Sequence, residues 1–515
     1  MRHVVSAPPV ARLSRVLLAW LAVALAGLAV APGHAQEETK AAEKKDDEKT
    51  NDEKKPDGKK ESDKKKDGDD KGGESKKDGA KASEKPSEKP NEKPGEKPAA
   101  ASPEEAAKAK AKAKEEELEL LRLFVDTLDQ IERNYVKDVS RRELMEAAIR
   151  GMTSKLDQYS NYIPPEEVEG FKGSVESEFG GVGLQVSSER GRLIVISPIV
   201  GTPAYRAGIQ SGDWIMAIDE TSTRDMPLDE AVKRMKGRAG TKVKVTVMHA
   251  KSGQSETVTL ERQVVKVDTV LGDRRKDDDS WDYMLDSEKK IGYVRITSFS
   301  RRTTDELKDA LKKLKADDFR GLVIDLRFNP GGLLTSAIEV SDLFVSEGRI
   351  VSTAGRNVDE QVVFAKKPGT YEGFPMVVLV NRYSASASEI VSACLQDHQR
   401  AVIVGERTWG KGSVQNIIEL EDGKSALKLT TAGYQRPNGK NINRFEGATE
   451  EDDWGVRPNE GFEIKLADDE LRRLIEDRRD RDIVKKAATE APADGAKFVD
   501  RQLQKGLEYL KSKLD

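Results

Sequence analysis

Asn381-Arg-Tyr-Ser-Ala-Ser-Ala-Ser-Glu-Ile-Val391 stands between two short apolar runs, Met376-Val-Val-Leu-Val380 and Ala401-Val-Ile-Val404. The runs have the length and β-branched content of strands. Ser386 to Gln396 reads as a helix between them. A serine therefore sits among small residues where a strand turns into a helix. Further downstream, Gly405-Glu-Arg-Thr-Trp-Gly-Lys-Gly-Ser-Val-Gln415 places a lysine in a glycine-rich loop.

Upstream the same rhythm continues. Gly292–Ile296 reads as a strand and Thr303–Lys315 as an amphipathic helix with Leu307, Leu311 and Leu314 on one face. Gly321-Leu-Val-Ile-Asp-Leu326 is a buried-type strand, and Leu333–Phe344 is a helix. This alternation argues layered α/β structure. Glu178 to about Arg262 instead reads as a compact β-rich module. Lys242-Val-Lys-Val-Thr-Val-Met248 alternates at period two, and Asp213–Asp219 does so more loosely. Ahead of the module, Leu118, Leu121, Phe124, Val125, Leu128, Ile131 and Tyr135 recur at helical spacing, and a second helix is expected over Arg141–Leu156. At the other end, Leu503, Leu507, Leu510 and Leu514 stripe a final helix, a pattern that suits core packing or a contact between copies of the chain.

The first 35 residues read as an export signal: Arg2, Arg12 and Arg15, then the apolar run Val16–Val30, then Gly33-His-Ala35 for cleavage. The run is short for a membrane span. An uncleaved N-terminal anchor is the alternative. Residues 36–105 are dominated by Lys, Glu and Asp, with four Glu-Lys-Pro repeats near the end; they carry too little apolar surface to offset ordering entropy. The formal net charge of the 515 residues is −4, which gives no case for nucleic-acid binding. Cys394 is the single cysteine, so no intrachain disulfide forms. No His/Cys/carboxylate cluster suggests a metal, and no cofactor is implied.

A histidine base for Ser386 is disfavoured by distance. His398 lies beyond the far end of the helix that starts at the serine, about 18 Å away at ~1.5 Å per residue. His249 falls at a strand end in the β module. Lysine remains. It takes a proton from serine only when neutral, so its pKa must fall from about 10.4 through burial. Lys411, between Gly410 and Gly412 and after Trp409, suits this; an ordinary loop lysine is the plain reading of Gly-Lys-Gly by itself. By composition alone Ser384 and Ser388 rival Ser386.

These stretches, with Asp325-Leu-Arg-Phe-Asn-Pro-Gly-Gly-Leu-Leu334, Leu156-Asp-Gln-Tyr-Ser-Asn-Tyr162 and Leu427-Lys-Leu-Thr-Thr-Ala432, resemble the carboxyl-terminal processing proteases of the S41 serine peptidase family over about residues 118–466. The resemblance implies Ser386 as nucleophile, Lys411 as base and Gln415 as the residue that orients the lysine. It implies an oxyanion hole from the backbone amides of Gly331, Gly332 and Ala387. The β module is similar to a PDZ domain, whose carboxylate-binding loop is then Gly181-Val-Gly-Leu184; Gly201-Thr-Pro-Ala-Tyr-Arg-Ala-Gly208 and Gly212–Ile218 carry that likeness further. A substrate's free, apolar C-terminus would dock there as an added strand. Two departures stand out: Arg444–Arg457 is longer and more acidic than the family's short segment, and Trp409 stands where Phe is usual.

The resulting expectation is a multidomain α/β (α+β) chain. It comprises a signal (1–35), a tether (36–105), N-terminal helices (106–172), a PDZ domain (173–262), a layered α/β protease core (263–480) and a C-terminal helical tail (481–515). Its expected role is an exported endopeptidase of the periplasm or cell envelope, membrane-tethered if the signal stays on. Protein or peptide substrates are its partners, with the terminal helices as a route to a homo-oligomer. The competing reading is a catalytically inactive PDZ scaffold. Hinges near Gly173 and Arg262 would let substrate docking shift a resting arrangement.

Overall fold

The computed structural model describes residues 103–484 and 498–515. The export signal, the tether up to residue 102 and residues 485–497 of the tail lie outside the described residues. The described chain divides into an N-terminal unit that ends at Met145 and a larger unit that begins at Glu146.

In the N-terminal unit a helix runs over Pro103–Asn134. The guanidinium of Arg141 ties its end by hydrogen bonds to Glu132 at 2.8 and 3.0 Å and by an ion pair with Asp129. Of the expected apolar stripe Leu128 is buried, while Leu118, Leu121, Phe124, Val125 and Ile131 are exposed.

The centre of the larger unit is a sheet in the order Val270–Leu271, Ile291–Ile296, Gly321–Asp325, Met376–Val380, Val402–Gly405. The last four strands are parallel. Three of them, Ile291–Ile296, Gly321–Asp325 and Met376–Val380, are buried along their whole length. This follows from their composition, because parallel strands covered on both faces need continuous apolar runs. Helices Thr303–Ala316, Leu334–Asp342 and Ala387–Asp397 share one core with the sheet through Leu307, Leu311, Val340, Ile390 and Cys394. Leu510 of helix Arg501–Leu514 packs with Tyr293, Val323, Val377 and Leu379 in a second cluster. A Cβ at Gly506 of that helix would meet Val377 Cγ1 at 3.0 Å, so glycine permits the close approach. The leucine stripe is thus core.

Beside this sheet lies a second one, built from Asn161–Ile163, Ser413–Leu420, Ser425–Gln435 and the hairpin Arg349–Gly355/Val358–Phe364. Periodicity does not reveal the hairpin, because its apolar residues are interrupted by Ser352, Thr353, Asp359 and Gln361.

The β module is an antiparallel sheet in the order Leu184–Glu189, Arg192–Pro198, Trp214–Ile218, Lys242–Met248, Ser255–Glu261. Its core gathers Val182, Leu193, Val195, Ile215, Ile218, Val243, Val245, Val247 and Leu260. The chain enters on Glu178–Gly181 and leaves on Gln263–Lys266, and these two strands pair antiparallel. One of the two expected hinge positions is corrected. Gly173 lies inside helix Pro165–Glu176. The buried Arg262 guanidinium donates to the carbonyls of Arg234, Met235 and Lys242. The helix ladder holds the Gly173 backbone, whereas the Arg262 side chain is fastened to its own module.

Candidate active site

Parallel α/β sheets present their loops for chemistry at the carboxyl ends of the strands. Three such ends meet here: Asp325 leads to the Pro330-Gly-Gly turn, Val380 leads to Ser386, and Gly405 leads to Lys411. Ser386 is 1% exposed and has φ +56° and ψ −115°, an uncommon conformation for a residue with a Cβ. Its neighbours hold it there. Ser384 Oγ donates to the Leu326 carbonyl at 2.9 Å and accepts from the Asn381 amide at 3.0 Å. Ser388 Oγ donates to the Asn329 carbonyl at 2.8 Å. Ser386 Oγ has no hydrogen-bond partner. The buried Tyr434 phenol faces it without reaching hydrogen-bond geometry.

Glu389 joins this turn to the lysine loop. One carboxylate oxygen accepts from the amides of Ser386 and Lys411, both at 2.8 Å. The other accepts from Thr408 Oγ1 at 2.6 Å and the Gly410 amide at 2.7 Å. Burial pushes the Glu389 pKa up, and these four donors oppose that shift. Three of the four partners are amides, which can only donate, and this favours the carboxylate form. Sequence reading missed this role. The signal was Ser386-x-x-Glu389, the spacing of a helix capping box.

Lys411 is 2% exposed. Burial, and next Lys428, pull its pKa down to about 7, against Glu389 and Asp157, which favour the charged form. Its loop is pinned from outside: Arg444 N donates to the Gly410 carbonyl at 2.8 Å, and Tyr434 N to the Gly412 carbonyl at 2.7 Å. The acidic segment 444–457 is thus an ordered buttress. Arg407 stacks on Trp454 within it at 3.4 Å and donates to the carbonyls of Glu450 and Trp454. Trp409 is half-exposed, and its indole N–H reaches Tyr159 Oη at 3.4 Å.

Gln415 is buried. Its amide nitrogen donates to Ser413 Oγ at 2.9 Å and Thr430 Oγ1 at 3.2 Å, while its amide oxygen has no partner. Ser386 and Lys411 stand on turns at one end of the parallel sheet and Gln415 on a strand of the second sheet, with no hydrogen bond joining the three. Neither histidine among the described residues takes part. His398 Nε2 pairs with the Arg349 carbonyl at 2.7 Å, so it is partly buried rather than a loop-surface residue; His249 pairs with Asp213 at 2.9 Å in the β module.

The oxyanion expectation needs one correction. The Gly331 amide is occupied, donating to Asn329 Oδ1 at 2.8 Å. Gly331 matters for its shape instead. It has φ +104°, and a Cβ there would lie 2.8 Å from Ser386 Cβ and 2.9 Å from the Ala387 nitrogen. Gly331→Ala is expected to push on the nucleophile turn and to lower turnover about 100-fold, since small misplacements at a reacting atom cost that much. Turnover within threefold of wild type, with unchanged thermal stability, would contradict this contact.

In the β module, Gly183 has φ +79° against the Thr202 side chain. The Val182 carbonyl accepts from Ala204 N at 3.0 Å and the Gly183 carbonyl from Ile199 N at 2.9 Å. The Gly181–Leu184 loop therefore turns its carbonyls onto the module, and the strand that follows it, Leu184–Glu189, is the edge of its sheet. An edge strand offers unpaired backbone groups to an added strand.

Comparison with known proteins accords with this arrangement. The model of "Peptidase family S41" matches residues 290–458, that of "PDZ domain" residues 171–248, and that of "Activating protease CtpB N-terminal domain" residues 91–167. A carboxy-terminal-processing protease of Bartonella bacilliformis is 36% identical over 390 residues, covering 73% of this chain and 85% of the relative. A carboxyl-terminal-processing protease of Synechocystis is 35% identical over 343 residues, 65% of this chain and 75% of that one. A solved structure of a photosystem II D1 C-terminal processing protease is 29% identical, covers 70% of this chain and 96% of its own, and gives a TM-score of 0.38. The chain belongs to the S41 serine peptidases, as a PDZ-containing carboxy-terminal processing protease.

Proposed function

We propose that this protease works by a serine–lysine mechanism on unfolded protein substrates whose free C-termini dock on the PDZ loop. The carrying observation is a buried lysine whose pKa falls to about 7, on a loop fastened by one carboxylate to a strained serine turn. Ser384 and Ser388 are already hydrogen-bonded, which leaves Ser386 as the serine available for chemistry.

In the reaction, neutral Lys411 takes the Ser386 hydroxyl proton as Oγ attacks the scissile carbonyl. The amides of Gly332 and Ala387 face the developing oxyanion; Ala387 opens a helix, where amides lack intrahelical partners. Lys411 then protonates the leaving amine as the C–N bond breaks. Water, deprotonated by Lys411, hydrolyses the ester on Ser386 and releases the new C-terminus. Gln415, through its free amide oxygen, accepts a hydrogen bond from the lysine as it moves towards the serine.

The PDZ loop, Gly181, Val182, Gly183 and Leu184, holds the substrate carboxylate, and the edge strand Leu184–Glu189 receives the peptide. Export to the periplasm or envelope follows from the signal-like leader. Among the described residues no helix is long and apolar enough to cross a membrane. A homo-oligomer through the terminal helices would draw chiefly on the N-terminal ones, since Leu510 is buried and Leu503, Leu507 and Leu514 pack half-buried against the core.

The test is hydrolysis of an unfolded protein with an apolar C-terminus. Ser386→Ala is expected to lose at least about 1,000-fold in kcat. Amidating the substrate's C-terminus is expected to raise KM about tenfold with little change in kcat, because only docking is weakened. Hydrolysis by Ser386→Ala at the wild-type rate would end the serine assignment. An unchanged KM for the amidated substrate would end the PDZ assignment alone.

A further inference from the structure

The turn Asp157-Gln-Tyr-Ser160 plays no part in the reaction as described, yet it touches the base and, through Thr430, reaches the residue that orients it. The Tyr159 ring lies over the Lys411 ammonium, 4.8 Å from Nζ to the ring centroid. The turn is rigid. One Asp157 oxygen accepts from the amides of Tyr159 and Ser160 at 2.7 and 2.8 Å, and the other accepts from Ser160 Oγ at 2.8 Å. Ser160 Oγ in turn accepts from the Thr430 amide at 3.0 Å, and Thr430 Oγ1 is a partner of Gln415. Strand Asn161–Ile163 then pairs with Ala426–Lys428, stitching the turn to the strand that carries Thr430.

We propose that the Asp157–Ser160 turn is a positioning element for the catalytic base, in which Tyr159 roofs Lys411 against water and Ser160, through Thr430, fixes Gln415. This rests on the reading of Lys411 as the base. The charged and titratable groups that face the lysine are Glu389 of the nucleophile helix, Lys428 of the adjoining strand, and Asp157 and Tyr159 of the turn. The roof has two opposing effects on the lysine. Its ring face attracts the ammonium, an effect of about one to one and a half pK units in a desolvated site. Its bulk withholds water, and burial is the largest influence on this lysine. Removing the ring therefore raises the basicity of Lys411 and delays its deprotonation to higher pH. Trp409 steadies the roof through the Tyr159 hydroxyl, and that bond, at 3.4 Å, is the weaker part of the arrangement.

The experiment is the pH dependence of kcat/KM, together with the rate at which a small fluorophosphonate labels Ser386, which needs no docked peptide. Wild type is expected to rise through pH about 7. Tyr159→Phe keeps the ring and should follow wild type. Tyr159→Ala should move the midpoint up by about one unit, which is roughly a fivefold loss at pH 7, and approach the wild-type plateau at high pH. Tyr159→Thr opens the same space and serves where the alanine variant does not fold. A merely structural role would lower the plateau or the Tm without moving the midpoint, and an unmoved midpoint in both labelling and hydrolysis overturns the proposal. Lys411→Ala separates the two levels. If it stays active, the base assignment itself is wrong; if it is inactive while the Tyr159 variants keep the wild-type midpoint, only the positioning role falls.

Discussion

Lys411→Met is expected to abolish peptide hydrolysis and, at the same time, to stabilise the folded chain. The activity loss follows from removing the group proposed to carry protons to and from Ser386. The stability gain follows from linkage. Lysine has a pKa near 10.5 when exposed, and in the folded chain it falls to about 7. Between those two values the unfolded chain binds more protons than the folded one, so wild-type stability rises with pH across that window. At pH 7 the cost of stripping Lys411 of its proton and burying it is on the order of 4 kcal/mol. Methionine fills the same volume with no charge. Even a gain of about 1–2 kcal/mol would raise Tm by several degrees in a domain of this size. Calorimetry at pH 6, 7.5 and 9, beside turnover assays, checks both halves. A variant that still turns over, or one that melts below wild type at pH 7, would refute the neutral-lysine account.

Glu389 is expected to be the least replaceable residue of the site that touches no substrate. Glu389→Ala strands three buried amides and the Thr408 hydroxyl. Each unsatisfied buried donor costs about 1–3 kcal/mol, so the sum, on the order of 4 kcal/mol or more, approaches the whole stability of a typical domain. Glu389→Gln is the informative variant. It keeps one oxygen acceptor but turns an NH2 group against two donors, so the serine turn and the lysine loop come apart by a few tenths of an ångström. We expect a 100- to 1,000-fold loss in kcat with KM nearly unchanged. The acid limb should also move to lower pH, because the Glu389 charge favours protonated Lys411. Steady-state kinetics across pH 6–9 on the folded variant decides this. Turnover within threefold of wild type would show that the carboxylate does not hold the two loops in register.

How much of this was legible beforehand depended on how local each cause is. The helix after Ser386 and the strands Met376–Val380 and Gly321–Asp325 were readable because apolar spacing and turn residues within one short window decide them. Helix Asp468–Asp482 was not. Its 15 residues are mostly charged, and the three it buries, Leu471, Leu474 and Arg478, include an arginine. Arg478 is acceptable inside only because it meets Asp325, whose carboxylate, though buried, is held well below its usual range by Arg327 and Arg478. Gly331 was visible as part of a Pro-Gly-Gly turn. That its amide is taken by Asn329, and that its bare Cα lies against Ser386, depends on atoms from two strand ends.

The sequence by itself determined the layered α/β order and the inserted β module, because short-range periodicity is written along the chain, and its resemblance to a known family pointed to the serine, lysine and glutamine to inspect. Only the tertiary structure decided what lowers the proton affinity of Lys411. Its proton affinity is set by what surrounds it: the Tyr159 roof from 252 residues upstream, the neighbouring Lys428, and the Glu389 carboxylate that binds its loop to the nucleophile turn. Burial and charge depend on distances in space, and no spacing along the chain encodes them.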